Sequence, residues 1–333
     1  MLRPCAILIA AMLSACANVE RQPAEAPQTA AAGRPASIAV PQGLIADQVR
    51  VFQVSYPLLR AASDVCTDGA VYGMGLYALN RYTMGAYANV AWRYGIGNDM
   101  RVLAAIPDGP AYRAGLMAGD VIMTVNGEPA PTTAASTRAF GLKMARIART
   151  GTPVAMTVRR DTETVSVKVQ PERLCGYQVQ VTDTLQVNAR ADGRRAIHVT
   201  RGMLDFTHSD AELALVIAHE IAHNAMGHLR ARSQLMRSMA AAGRVPHGAG
   251  ANGMMPAFSQ ALEMEADHMG LYIVARAGMP FEDAPQFIER LAARPGGELR
   301  ANTHPTSAAR VAALRRSVRE IEAKLAAGQP LQP

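Results

Sequence analysis

A chain of 333 residues that is 49% hydrophobic and 18% charged is too long for one small module and too apolar for a disordered one, so about two domains are expected. The formal charge of +7 rests almost wholly on arginine, since the only lysines are Lys143, Lys168 and Lys324. No basic run is denser than Arg194-Arg195 or Arg315-Arg316, which excludes a nucleic-acid surface. At the start of the chain Arg3 leads into the apolar stretch Cys5 to Leu13, too short to span a bilayer, and this reads as a secretory signal. No later stretch is long and apolar enough for a transmembrane helix.

The residues that follow, Leu13-Ser14-Ala15-Cys16, resemble the lipobox of bacterial lipoproteins, in which the cysteine becomes the first mature residue and carries the acyl chains. The resemblance implies a signal peptide over 1–15, lipidation at Cys16 and a periplasm-facing protein held to the membrane through its lipid anchor only. Ala17 and Asn18 follow the cysteine where an Asp would favour inner-membrane retention, so the outer membrane is the expected address. Residues 16–42, rich in Ala, Pro and Gln, read as a flexible tether. In 43–85, Val49, Val51, Phe52, Leu58 and Leu59 read as a helix broken at Pro57.

From 86 to 172 the pattern becomes one of short strands with a single helix. Met100 to Ile106, Val121 to Val125, Val154 to Arg159 and Thr164 to Val169 read as strands, Asn126-Gly127 as a tight turn, and Ala134 to Arg149 as the helix. Between the first strands run Gly109-Pro110-Ala111, Ala114-Gly115-Leu116, Gly119-Asp120-Val121-Ile122 and Val125-Asn126-Gly127. This series resembles the PDZ domains of bacterial periplasmic proteases. Such a domain adds an extended peptide as an extra strand and caps its terminal carboxylate with backbone amides. The expected capping loop is Tyr94-Gly95-Ile96-Gly97, with Phe140, Leu142 and Ile147 of the helix lining the pocket.

The remainder, 173–326 with a tail over 327–333, is mainly helical. Tyr177 to Thr182 alternates, Asp192-Gly193 turns, and Ala196 to Thr200 returns, giving an edge strand that contains Ile197. The next helix opens on Ser209-Asp210-Ala211-Glu212, a capping box, and is expected to run to about Leu229. It carries His219-Glu220-Ile221-Ala222-His223. Positions four apart on a helix differ by only about 40°, so the two imidazoles share one face and can grip one ion, while Glu220 can reach a water beside it as a general base. A third donor is offered by Glu263-Met264-Glu265-Ala266-Asp267, on a helix that ends at Ala277 before Gly278 and Pro280. Glu263 and Asp267 share a face, Glu265 points away, and angles alone leave open a pairing of Glu265 with His268. By the same arithmetic His228 lies about 140° from His223 and reads as structural. The Gly- and Met-containing segment from Arg230 to Pro256 reads as a loop, either a lid over the cleft or a plain connection.

A His-Glu-x-x-His motif followed by Glu-x-x-x-Asp is the gluzincin pattern. More narrowly, Asn188-Ala189, Val199-Thr200-Arg201-Gly202-Met203-Leu204, the histidine motif, Glu263 to Asp267, and Thr303-His304-Pro305 followed by Arg310 resemble the HtpX- and BepA-like metallopeptidases, the family that also contains the CAAX prenyl proteases. The resemblance implies one Zn2+ per chain held by His219, His223 and Glu263, with Asp267 orienting an imidazole and Arg310 bracing Asp267. It implies that His304 sits near the metal, either stabilising the oxyanion or serving as a fourth ligand at rest.

The expected class is α+β: a mainly helical zincin-type peptidase domain with a small edge-strand sheet, into which a β-rich PDZ domain is inserted. Cys66 and Cys175 flank the insertion, and in an oxidising compartment with Cys16 consumed by lipid they are expected to form a disulfide. The functional expectation is a lipid-anchored zinc endopeptidase acting on unfolded or misassembled envelope proteins, with the Ile197 strand holding substrate and the PDZ domain capturing C-termini. The alternative is a PDZ-containing lipoprotein chaperone or adaptor whose zinc site is regulatory or idle.

Overall fold

The computed structural model describes residues 43–66, 69–241, 254–294 and 308–333, all within the compact unit Ala39–Pro333. The first element, α1 (Leu44–Ala61), buries Val51, Val54, Ser55, Leu58 and Leu59, a spacing of three and four that lays one stripe against the helical core. It runs unbroken through Pro57. A mid-helix proline forfeits one backbone hydrogen bond and costs about 3 kcal/mol; burial of Val54, Leu58 and Leu59 around it, at roughly 1.5–3 kcal/mol per large apolar side chain, offsets this.

After α1 the chain forms β1 (Ala70–Gly73), which pairs antiparallel with β8 (Glu172–Cys175). Between them lies a second sheet: β2 (Leu76–Leu79), β3 (Arg101–Ala105), β4 (Val121–Val125), β6 (Val154–Arg160) and β7 (Glu163–Val169) in that spatial order, with β5 (Glu128–Pro129) beside β4. Two helices accompany it, α2 (Pro110–Arg113) and α3 (Ala134–Thr150). Its own core is built by Val102, Leu116, Ile122, Val125, Val154, Met156 and Val158. The sheet begins at Leu76, ten residues ahead of the boundary expected at 86, because Leu76 to Leu79 pair with β3. Cys66 and Cys175 are joined as a disulfide with Cα atoms 5.5 Å apart, at the point where the chain leaves the helical part and re-enters it.

The helical part has a three-stranded sheet in the order β10 (Ala189–Ala191), β11 (Ala196–Thr200), β9 (Gln178–Thr182). Here the structure corrects the expected hairpin. The strand containing Ile197 is central, antiparallel to β10 and parallel to β9, so the edges are β10 and β9. Then come α4 (Arg201–Phe206), α5 (Asp210–Ala225), α6 (His228–Ala241), α7 (Met254–Arg276), α8 (Ala284–Ala293) and α9 (Ala308–Ala326). Leu213, Ile217 and Ile221 of α5, Leu271 and Ile273 of α7, Phe287 of α8 and Leu314 of α9 meet in one core with α1.

Two details of α5 differ from expectation. Ser209 Oγ accepts from the Glu212 amide at 3.2 Å, but the Glu212 carboxylate reaches past Ser209 to accept from the His208 amide at 2.7 Å and from Arg290. The helix also ends at Ala225, four residues early, because Gly227 adopts φ 70°, a left-handed conformation that terminates a helix cheaply only at glycine. The first half of the segment expected as a loop over 230–256 is α6, whose single buried residue, His228, leaves no apolar stripe to betray it.

Candidate active site

Helix α5 presents His219 and His223 on the face that packs against α7, and α7 answers with Glu263, Asp267 and Gly270 on one stripe. Gly270 is what permits the close approach: a Cβ there would lie 3.1 Å from the His219 amide nitrogen. The Nε2 atoms of His219 and His223 are 3.0 Å apart, and the two carboxylate oxygens of Glu263 each lie 3.3 Å from one of them. All three residues are buried.

Behind this set Asp267 Oδ1 lies 2.9 Å from His219 Nδ1. Arg310, near the start of α9, donates through Nε and Nη2 to the Asp267 carboxylate at 2.5 and 2.8 Å, and its Nη1 sits 3.0 Å from Glu263 Oε2. Burial would raise the Asp267 carboxyl, but the adjacent guanidinium outweighs it and holds the carboxyl below its usual range. Burial likewise works against a charged His219, yet Asp267 and Glu263 push it up to about 10. Burial, and then the neighbouring His219, drive His223 down to about 4.

Glu220 is 2% exposed and accepts from the Ala191 amide of β10 at 2.6 Å. Asn224, one turn on, accepts from the Gly193 amide, so α5 holds both this edge strand and the turn that follows it. Beside Glu220 and His219 lies an apolar cavity of about 70 Å³, flanked by Leu215, Val216, Phe287 and Ile288.

The donor set fits a zinc ion. Three ligand atoms from His219, His223 and Glu263 lie within 4.8 Å of one another, and this is the single such His/Cys/Asp/Glu group among the described residues. Two imidazoles and one carboxylate are a common protein contribution to catalytic zinc, and the Nδ1 of each imidazole is held from behind, leaving both Nε2 atoms facing Glu263.

Other sequence expectations fare differently. His304 and Cys16 lie outside the described residues. His268, a possible partner for Glu265, instead pairs through Nδ1 with Ser317 Oγ at 2.8 Å. His228, read as structural, meets His223 with Nδ1 atoms 3.0 Å apart, and Glu265 lies 3.4 Å from its other nitrogen. The early end of α5 at Gly227 is what returns His228 to His223; the signal was the glycine itself.

In the expected loop Tyr94-Gly95-Ile96-Gly97 two of the backbone amides are engaged within the chain. The amides of Gly95 and Ile96 turn back onto the carbonyls of Trp92 and Ala91 to close a 3-10 turn, and Tyr94 flanks a cavity at the start of α1. A groove along α3 is lined by Gly73, Met74 and Gly75 ahead of the edge strand β2, by Leu76 of β2, by Ala145, Ala148 and Arg149, and by Phe52 and Tyr56 of α1. Leu142, expected in its pocket, is 72% exposed. Within Gly73-Met74-Gly75-Leu76, Gly75 takes φ 67° against the ring of Tyr56.

A model of peptidase family M48 matches residues 148–318, more than half of the chain. The chain belongs to peptidase family M48. A PDZ domain model matches 101–160. Among curated proteins the chain is 31% identical over 141 residues to the mitochondrial metalloendopeptidase OMA1 of Arabidopsis thaliana, covering 39% of this chain and 29% of that protein. It is 30% identical over 128 residues to the beta-barrel assembly-enhancing protease of Yersinia pestis, covering 32% of this chain and 26% of that protein. The M48 chain thus spans under a third of the length of either relative. Among solved structures it is similar to the HtrA3 PDZ domain bound to a phage-derived ligand, at 19% identity and a TM-score of 0.24, covering 32% of this chain and 88% of that one.

Proposed function

We propose that this M48 protein is a zinc-dependent metalloendopeptidase, anchored by lipid at Cys16 to the periplasmic face of the outer membrane, that cleaves unfolded or misassembled envelope proteins. The observation that carries the reading is the convergence of His219, His223 and Glu263 next to Glu220, at the foot of an edge strand. Zinc, when bound, supplies Lewis-acid polarisation of the scissile carbonyl and makes a water acidic enough to be deprotonated near neutral pH. Glu220 takes that proton on its carboxylate and passes it to the leaving amine. An extended substrate runs along the outer edge of β10, beside the Ala191 amide that Glu220 holds, and the adjoining apolar cavity receives one of its side chains.

The groove between β2 and α3 suits a C-terminal peptide added as a further strand, with its carboxylate at Gly73 to Leu76. The relative named for beta-barrel assembly supports an envelope setting, and the leader and Cys16 support the anchor.

The test is incubation with an unfolded protein before and after zinc is stripped by a chelator. Cleavage should vanish on stripping and return with stoichiometric zinc. A zinc-loaded protein that leaves every unfolded substrate intact would overturn the peptidase reading in favour of an adaptor.

A further inference from the structure

The two imidazoles facing Glu263 are supported from behind by different chemistry. His219 Nδ1 meets a carboxylate, whereas His223 Nδ1 meets another imidazole, that of His228, at 3.0 Å with the rings edge-on at 80°. A contact between two ring nitrogens needs one donor and one acceptor. For His223 to offer a lone pair on Nε2 beside His219 and Glu263, its proton must sit on Nδ1. That N–H then donates to His228 Nδ1, and the proton of His228 is left on Nε2. The buried His228 Nε2 makes no hydrogen bond of regular geometry among the described residues, and Glu265 Oε2 lies 3.4 Å from it. Glu265 itself is half exposed, anchored on α7 two residues from Glu263.

We infer that His228 and Glu265 are positioning residues for the metal site. The Glu265 carboxylate, 3.4 Å from His228 Nε2, favours a proton on that nitrogen and so fixes the tautomer in which His228 Nδ1 accepts from His223, which aims His223 Nε2 at the metal. The inference rests on the metallopeptidase reading. The glutamate that angular arithmetic sends away from the site thereby acts on it through a histidine that the same arithmetic sends away, because the break at Gly227 reverses the second displacement.

The experiment measures zinc affinity of the full chain by chelator competition, with apo-protein melting as the control for folding, and reads the tautomer of His228 by two-bond 1H–15N correlation of the imidazoles. Loss of such supporting partners typically weakens metal binding about 10–100-fold. Glu265→Ala should fall at the low end of that range and His228→Ala at the high end. Glu265→Gln, which keeps an acceptor oxygen but loses the charge, should lose less affinity than Glu265→Ala. His228 in the zinc-loaded parent should carry its proton on Nε2. A proton on His228 Nδ1, zinc affinity unchanged in Glu265→Ala, or a Glu265→Gln as weak as Glu265→Ala would overturn the inference. Glu263→Ala serves separately: it should abolish zinc binding, and zinc retained there would overturn the metallopeptidase reading itself.

Discussion

Arg310 is the residue through which the buried charges at the site balance one another. Its guanidinium is 3% exposed and faces both Asp267 and Glu263, so removing it would leave two buried carboxylates with one cation fewer. The planar fork matters as well as the charge, since two of its nitrogens engage Asp267 while a third faces Glu263. Asp267→Asn keeps the shape but weakens the acceptor for His219 Nδ1–H, and zinc affinity by chelator competition should drop about 10–100-fold with the fold intact. An Asp267→Asn protein that binds zinc like the parent would show that His219 needs no such brace. The pairing of His219 with His223 was legible from spacing alone, because four residues nearly complete a turn. Choosing Glu263 over Glu265 needed the family pattern, and His228 was hidden because a sequence reads as a continuous helix until its glycine is given a conformation.

At the scale of elements, the Gly-Asp-Val-Ile motif gains a physical reason. Asp120 is buried at the start of β4, accepts from the Met117 amide at 3.0 Å, and takes two bonds at 2.8 Å from Arg160 of β6, whose Nη2 also reaches the Gly115 carbonyl. One carboxylate thus ties the Ala-Gly-Leu turn to the sheet. Burial would raise its carboxyl, but the hydrogen bonds from Arg160 and Met117 prevail and lower it. A carboxyl lowered by folding stabilises the fold above its ordinary value of 3.8, and that contribution is lost as pH falls through the folded value. Asp120→Asn should therefore melt lower than the parent at neutral pH and lose less stability on acidification. Parallel melting curves for the two proteins from pH 6 to about 2 would refute this role. Four strands of this sheet, β3, β4, β6 and β7, were legible to within a residue or two, as period-two alternation makes them, while β2 lay ahead of the expected boundary. The pairing of β11 with both β10 and β9 was not, because a strand's sequence does not say which neighbour it takes, nor whether the neighbour is parallel.

The whole molecule is held at the junction by Cys66–Cys175 and by the β1–β8 ladder, which together bring the ends of the PDZ segment side by side. Tyr56 of α1 donates to Glu172 of β8 at 3.0 Å and packs on Gly73 and Gly75, so the loop bounding the groove rests directly on a helix that shares the core of α5 and α7. The bridge closes a separation of 109 residues, and removing it in Cys66→Ala/Cys175→Ala should cost about 2–5 kcal/mol of stability. A form beginning after Cys16 should show no thiol to alkylation until it is reduced and unfolded; two reactive thiols in the native protein would contradict the bridge.

The proposed cleavage depends on Glu220 acting as the base beside a zinc ion held by His219, His223 and Glu263. The measurement that reaches it most directly is zinc content and cleavage of an unfolded substrate in the same Glu220→Gln preparation. Zinc should remain at the parent's level while kcat/KM falls about 10²–10⁴-fold, since the amide keeps the side chain's shape and loses its capacity to take a proton. Cleavage near the parent's rate by that zinc-loaded variant would contradict a general-base role for Glu220.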